Sequence, residues 1–187
     1  VEAPAAPVPG PLEVAVLDLP LAEGDASDGD ARIAAFADPW PGPLVVHRAP
    51  QDSGYVPVAR IEKPAAIGTL LTPLPPGEAT LWHRVAVEVA FPEGRIASAT
   101  RLAVLNGANP LAVEAAPGQW EILQARDATL TGPGRLRLST LLRGRRGTEH
   151  IATVPRAAGS RVVLLDDAVA RLPVPAELRG LARHYRV

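Results

Sequence analysis

The sequence predicts an all-β fold, with short antiparallel strands in a sandwich or barrel-like module, many Pro/Gly turns and little helix. Proline and glycine supply 21 and 16 of the 187 residues. Long helices cannot form among so many breakers, because an interior proline costs a helix about 3 kcal/mol. Apolar residues make up 47% of the chain, enough for a buried core. Strand patterns recur about every 10–12 residues, a spacing typical of sandwiches and barrels.

Proline and glycine turns divide the first half of the chain into predicted strands. Four prolines make residues 1–11 a linker from a preceding domain. The strands predicted after it are 12–19, 32–37, 44–48, 55–61 and 82–91. The unbroken apolar run in 12–19 predicts burial on both faces, and Pro57 predicts an edge strand.

The second half of the chain continues the strand pattern. The PEG turn at 92–94 predicts a hairpin between 82–91 and 95–100. Further strands are predicted at 101–105, 111–115, 119–125, 135–142, 161–165 and 168–174, with a helical turn in 175–181. Residues 12–187 then form either one β-rich module or two packed subdomains, at about 12–116 and 117–187.

Motifs for catalysis, cofactors or metals are missing from the sequence. Without cysteine it has no thiolate nucleophile or Cys-ligated zinc, and its four histidines lack metal-ligand spacing. It contains no nucleophile elbow, phosphate loop or dinucleotide fingerprint, and no membrane-spanning apolar run. We therefore expect no enzyme activity, catalytic residue, cofactor or metal. An enzyme would need paired carboxylates, for which Glu88, Glu114 and Glu121 are the strand-borne candidates.

Charge is unevenly distributed and indicates a candidate interaction surface. Residues 2–30 hold seven acidic side chains and no basic one, including Asp25, Asp28 and Asp30. Residues 135–161 hold seven arginines against one glutamate, including Arg143, Arg145 and Arg146. The two patches either meet, within one subunit or between copies, or remain two solvated surfaces.

Two other interpretations of these charges remain open. The Asp25–Asp30 loop could hold calcium, although its spacing does not match an EF-hand. The arginines have no aromatic residues interleaved to stack bases, so no sequence-specific nucleic acid partner is expected.

Trp40 lies among prolines in DPWPGP and is the third component of the candidate interaction surface. Together with Trp82 and Trp120, it could bind protein or glycan, or it could anchor a loop to the core. A binding module predicts at least one tryptophan exposed beside polar groups. A purely structural module predicts all three mostly buried.

An ordered series of motifs resembles a known family. They are DLPL (18–21), ADPWPGPLVVHR (37–48), AIGTLLTPLPPG (66–77), AVLNGANP (103–110), QWEILQARDA (119–128), LLRGRRGTE (141–149), AAGSRVVLLD (157–166) and GLARHYR (180–186). Together they resemble the C-terminal part of the large baseplate protein of gene transfer agents. That protein is the multidomain "megatron" host-specificity protein, related to the tail-tip proteins of long-tailed phages.

The resemblance implies a virion structural component at the tail tip of an extracellular phage-like particle assembled in the cytoplasm. It implies a homotrimer, contacts with other baseplate and tail proteins, and a contribution to host attachment and DNA delivery. None of the motifs is a catalytic signature of the family, and any enzyme activity is expected in other domains of the parent protein. The alternative is a module that binds a host receptor or glycan on the host-facing surface.

Overall fold

The computed structural model describes residues 10–20, 29–78, 81–92 and 96–187. Within them the strands are β1 (Glu13–Leu17), β2 (Ala31–Phe36), β3 (Leu44–Ala49), β4 (Val56–Ile61), β5 (Ile67–Leu70), β6 (Trp82–Ala90), β7 (Pro110–Ala116), β8 (Gln119–Gly132), β9 (Arg135–Leu142), β10 (Arg161–Leu164), β11 (Ala170–Leu172) and β12 (His184–Arg186). The helices are α1 (Arg101–Leu105) and α2 (Glu149–Ala152), and short 3-10 turns lie at Arg145–Gly147 and Ala176–Leu178. The all-β prediction is confirmed.

A closed barrel of six strands forms the centre of the fold. Its order is β10-β5-β6-β9-β8-β7, and every neighbouring pair is antiparallel. The interior of the barrel is apolar. On strand β6, for example, Val87 and Val89 point inward, whereas Glu88 between them points outward. The fold thus takes the barrel-like form of the predicted class, and closure leaves these strands fewer free edges.

Gly68 allows β5 and β6 to approach closely. A Cβ atom at this position would lie 1.9 Å from the carbonyl oxygen of Ala90 and 2.7 Å from the Phe91 ring. A side chain at this position would force the two strands apart, so the close approach depends on glycine.

Two three-stranded sheets are layered on the outside of the barrel. The middle sheet, β1-β2-β11, packs one face on the barrel and the other on the outer sheet, β12-β3-β4. Strand β2 supplies both contacts, because Ala34 and Phe36 face the barrel while Ile33 and Ala35 face the outer sheet.

Three details of the strand predictions can be compared with this arrangement. Burial on both faces was predicted for the first strand and is wrong there, because β1 is a sheet edge and leaves Val16 48% exposed. Strand β2, in the middle of that sheet, is buried on both faces instead. Strand β4 lies at the edge of its sheet, as Pro57 predicted. Strands β5 and β12 were not predicted.

The predicted hairpin after β6 is wrong. Strand β6 pairs with β5 and β9, and the described residues 96–100 form no strand. The predicted strand at 101–105 is helix α1, because the Thr100 hydroxyl accepts a hydrogen bond from the Ala103 amide and caps it. The two subdomains expected at 12–116 and 117–187 stay a prediction; in this structure the β7–β8 hairpin crosses that boundary.

We expect Gly68→Ala to destabilise the chain by about 1–3 kcal/mol, because the added methyl overpacks the β5–β6 contact. The measurement is the midpoint of urea unfolding. Gly132→Ala is the matched control, since its Cβ would meet only the Arg135 side chain at 3.8 Å. Equal midpoints for the two variants would contradict the close approach.

Candidate interaction surface

Arg143, the first arginine of the predicted turn after β9, lies inside the protein. Its side chain is 0% exposed and forms a two-pronged ion pair with Glu121. Nε donates to Glu121 Oε1 at 2.5 Å and Nη2 to Oε2 at 2.8 Å. The expected place on a surface is therefore wrong for Arg143, because a buried carboxylate holds its guanidinium by both edges.

Glu121 is inside because of its position on β8. It lies two and four positions before Leu123 and Ala125, whose side chains belong to the barrel core. Residues at this spacing on a strand share a face, so Glu121 points into the barrel as well. Glu121 is itself 0% exposed. A buried carboxylate needs charged or hydrogen-bonding partners, and Arg143 is the first of these.

Arg156 completes a buried triad with these two residues. Its Nη2 lies 3.8 Å from Glu121 Oε2, and its guanidinium donates to the carbonyls of Ile151, Val154 and Pro155. Burial lowers the pKa of Arg156. A single carboxylate has too few acceptor sites for the donors of two guanidiniums. The backbone carbonyl oxygens therefore accept the remaining hydrogen bonds.

The triad connects several chain segments at one end of the barrel. Arg143 Nη1 donates to the Pro75 carbonyl at 2.8 Å, and Leu74 and Arg156 exchange backbone hydrogen bonds. Glu121 comes from β8, Arg143 from the end of β9, and Arg156 from the segment after α2. One cluster of charges therefore closes this end.

The chain from Arg143 to Thr148, which we call the arginine turn, also covers a bare edge of β8. Strand β9 stops at Leu142, opposite Gln124, so the start of β8 has no partner on that side. The Thr148 hydroxyl there accepts from the Ile122 amide at 3.0 Å. Gly144 has φ +57°, and a Cβ on it would lie 2.7 Å from Glu149 Cα, so the turn requires glycine.

Gln124 connects the arginine turn to helix α1. Its Nε2 donates to the carbonyls of Val104 and Ala108, at 2.7 and 2.9 Å. Its Oε1 accepts from Arg145 Nε at 2.9 Å. Arg145 is therefore half-buried and held beside α1, whereas Arg146 is exposed.

Apolar side chains stand open to solvent next to these arginines. On α1, Leu102 is 68% and Leu105 49% exposed, and their spacing puts them on one helix face. Arg101 lies over the half-buried Trp82 ring, 5.4 Å from its centroid. We call this set, Trp82, Arg101, Leu102, Leu105, Arg145 and Arg146, the arginine–leucine surface.

Two clefts flank the arginine turn. One of about 330 Å³ has Arg146, Gly107 and Pro20 in its wall. The other, of about 370 Å³, is lined in part by Asp18, Arg32, Gly147 and Trp120. Trp120 is 1% exposed, and its indole Nε1 has no hydrogen-bond acceptor.

The acidic part of the candidate surface is only partly described. Asp25 and Asp28 lie outside the described residues, and so does the calcium interpretation that depends on them. The Asp30 carboxylate pairs with Arg171 and accepts from the Val174 amide. One arginine partner of Asp30, Arg171, therefore comes from β11.

The three tryptophans differ in burial. Trp40 and Trp82 are half-buried, with Trp40 packed between the middle and outer sheets, while Trp120 is in the core.

Glu114, a second glutamate on a barrel strand, binds Arg161 through both oxygens, at 2.7 and 2.8 Å. It pairs in register with Trp120, one position from Glu121, so the two carboxylates point to opposite faces of the sheet.

Sequence reasoning did not identify Glu121 and Arg156 as partners of Arg143. A glutamate in the apolar run WEIL was the available signal, because a charge in a buried strand needs a partner. Nothing local indicated which of many arginines would supply it. None of the described helices has the length and apolar content needed to cross a membrane.

These features define a β-barrel module that presents an anchored arginine turn beside an apolar helix face. The chain belongs to the Rcc01698-like, C-terminal family, whose model matches residues 65–163, a little over half of the chain. The name of that family is associated with gene transfer agents. The matched residues hold the barrel from β5 into β10, with the triad, the arginine turn and α1. No curated protein sequence matches the chain.

Glu121→Gln should destabilise the fold by about 3–5 kcal/mol, because it leaves two buried guanidiniums without a counter-charge. Arg143→Met should cost a similar amount, and the double variant less than the sum of the two. Urea unfolding measures all three. Arg126→Met is the control, as it breaks an exposed pair with Asp127. Strict additivity would contradict the proposed coupling.

The Glu114–Arg161 pair predicts part of the acid sensitivity. Hydrogen bonds from Arg161 lower the pKa of Glu114 below its ordinary value of 4.5. Its stabilisation is therefore complete above pH 4.5 and is lost as the pH falls through the lowered pKa. The stability gap between wild type and Glu114→Gln should shrink from pH 7 to pH 3 in urea unfolding. A constant gap would count against this pairing.

Proposed function

We propose that this chain is a structural module of a phage-like tail-tip or baseplate protein of a gene transfer agent. Its role is baseplate assembly, within a particle that attaches to a host and delivers DNA. The motif series from residue 18 to residue 186 and the family match support this proposal. The observation that carries it is the arginine–leucine surface, an exposed apolar face bordered by arginines and anchored to a buried triad.

An anchored surface of this kind suits a permanent protein contact. Tryptophan and arginine are enriched among residues that dominate binding energy, and Trp82 and Arg101 already stack on each other. The bond from Arg145 to Gln124 fixes the turn beside α1 before any partner arrives. Less conformational entropy is then lost on binding, which favours affinity.

We propose partners and a location for this chain as well. The partners are other baseplate and tail proteins, with the chain as a homotrimer in the tail tip of an extracellular particle that assembles in the cytoplasm. We also propose that the chain is not an enzyme. Glu114 and Glu121 support this, because each is held by an arginine and they face opposite sides of their sheet.

A second candidate is a module that binds a host glycan or receptor. The cleft beside Trp120 favours it, because its wall combines this tryptophan with Asp18 and Arg32. Small-ligand sites combine an aromatic side chain with a few polar groups in this way. Titration of host glycans against the tryptophan fluorescence of the chain would test this candidate.

Crosslinking of intact particles with an arginine-reactive reagent, followed by mass spectrometry, tests the assembly role, because this face carries arginine and no lysine. We expect crosslinks from α1 and the arginine turn to reach other tail chains, because this face is covered in the particle. The Arg101→Glu, Arg146→Glu double variant should lower the yield of complete particles, because it reverses the charge of the border. Arg135→Glu is the matched control, about 25 Å away at the other end of β9.

The outcomes separate the two candidates. Unchanged particle yield with the double variant, together with no crosslinks from this face, would overturn the assembly role. Saturable quenching of tryptophan fluorescence by a host glycan would favour the binding module.

A further inference from the structure

We infer that the arginine–leucine surface docks an acidic amphipathic helix from a neighbouring protein chain. The inference rests on the proposed assembly role and names the chemistry of the partner. Three observations carry it: the exposed leucines of α1, the sign of the charges that border them, and the helical form of the ridge that carries these leucines.

The apolar part is larger than a single side chain. Leu102 and Leu105 form one exposed ridge of α1, and Arg101 of the same helix lies over the Trp82 ring. Val104, on the opposite side of α1, is fully buried and fixes which face points outward. Exposed leucines next to a tryptophan are typical of an interaction site. Without a partner, such a patch lowers the solubility of the protein.

Three arginines border this ridge. Arg101 begins α1, and Gln124 holds Arg145 at the other end of the helix. Arg146 shares a cleft wall with Gly107, directly after α1. Glu78 and Glu149 lie at the outer margins, beside His83 and the arginine turn. A partner with carboxylates around its apolar side chains therefore complements this border.

The backbone around the surface decides the form of the partner. An extended segment would need an open strand edge for its own amides and carbonyls. The ridge of Leu102 and Leu105 lies on helix α1, which offers no such edge. A helix satisfies its own backbone hydrogen bonds and binds through side chains alone. Leucines at i and i+3 or i+4 on the partner would then pack against Leu102 and Leu105.

Fluorescence anisotropy with designed peptides tests the inference on the purified chain. The probes are labelled amphipathic helical peptides of about 20 residues, long enough to be helical, with leucine on one face and glutamate on the other. A second peptide has lysine in place of every glutamate. We expect micromolar binding of the glutamate peptide, at least about tenfold tighter than the lysine peptide, and weaker binding at high salt.

Variants locate the binding. Arg101→Glu with Arg146→Glu should weaken the glutamate peptide at least about tenfold, since both borders become repulsive. Leu102→Ala should weaken it several-fold without unfolding the chain, because the side chain is exposed. Arg135→Glu should leave the affinity unchanged. Amide chemical shifts should move in 101–108 and 144–148.

Three results would overturn the inference. These are no binding of the glutamate peptide up to about 1 mM, equal binding of both peptides, or binding that the double reversal leaves unchanged. Sedimentation velocity of the chain alone is the companion measurement. Self-association that the double reversal abolishes would assign this surface to a second copy instead. A negative peptide result with normal crosslinks in the particle would reject the helical partner and leave the assembly role standing.

Discussion

The buried triad of Glu121, Arg143 and Arg156 is the interaction on which the rest of the structure depends. It brings together three segments that are far apart in sequence at the end of the barrel where β9 stops short of the start of β8. Burying charge is costly, so the arrangement persists only because each prong of Arg143 and most donors of Arg156 have acceptors. Because the desolvation cost offsets the attraction between the charges, we expect such a triad to specify one arrangement of the chain more than to add net free energy of folding.

The same interaction gives the exterior its form. Once Arg143 is fixed inside, Gly144 must turn in the left-handed region, and Arg145 and Arg146 are placed beside α1. Gln124, which binds Arg145, also donates to the carbonyls of Val104 and Ala108, so the turn and the helix are held in one position relative to each other. The surface that we propose for assembly is thus attached to the core by directional bonds. Its position has little freedom to drift.

The strands of the two layered sheets lie outside the residues that the family model matches. The family match covers residues 65–163, which hold the barrel from β5 into β10 and the triad, whereas β1–β4, β11 and β12 lie outside it. The middle sheet is joined to the barrel by alanine and phenylalanine packing and by the Arg161–Glu114 pair, which sits under β1 through the Val14 carbonyl. The family model thus matches most of the barrel, and the strands of both sheets lie outside the matched residues.

The sequence by itself determined the all-β class, most strand positions and the arginine-bearing turn, because breaker density and period-two alternation are local properties. It could not determine that Arg143 points inward, that Glu121 and Arg156 are its partners, or that residues 101–105 form a helix. These depend on which strands become neighbours and on where β9 ends relative to β8. Only the tertiary structure brings residues that are distant in the chain into one place and decides which charges are buried.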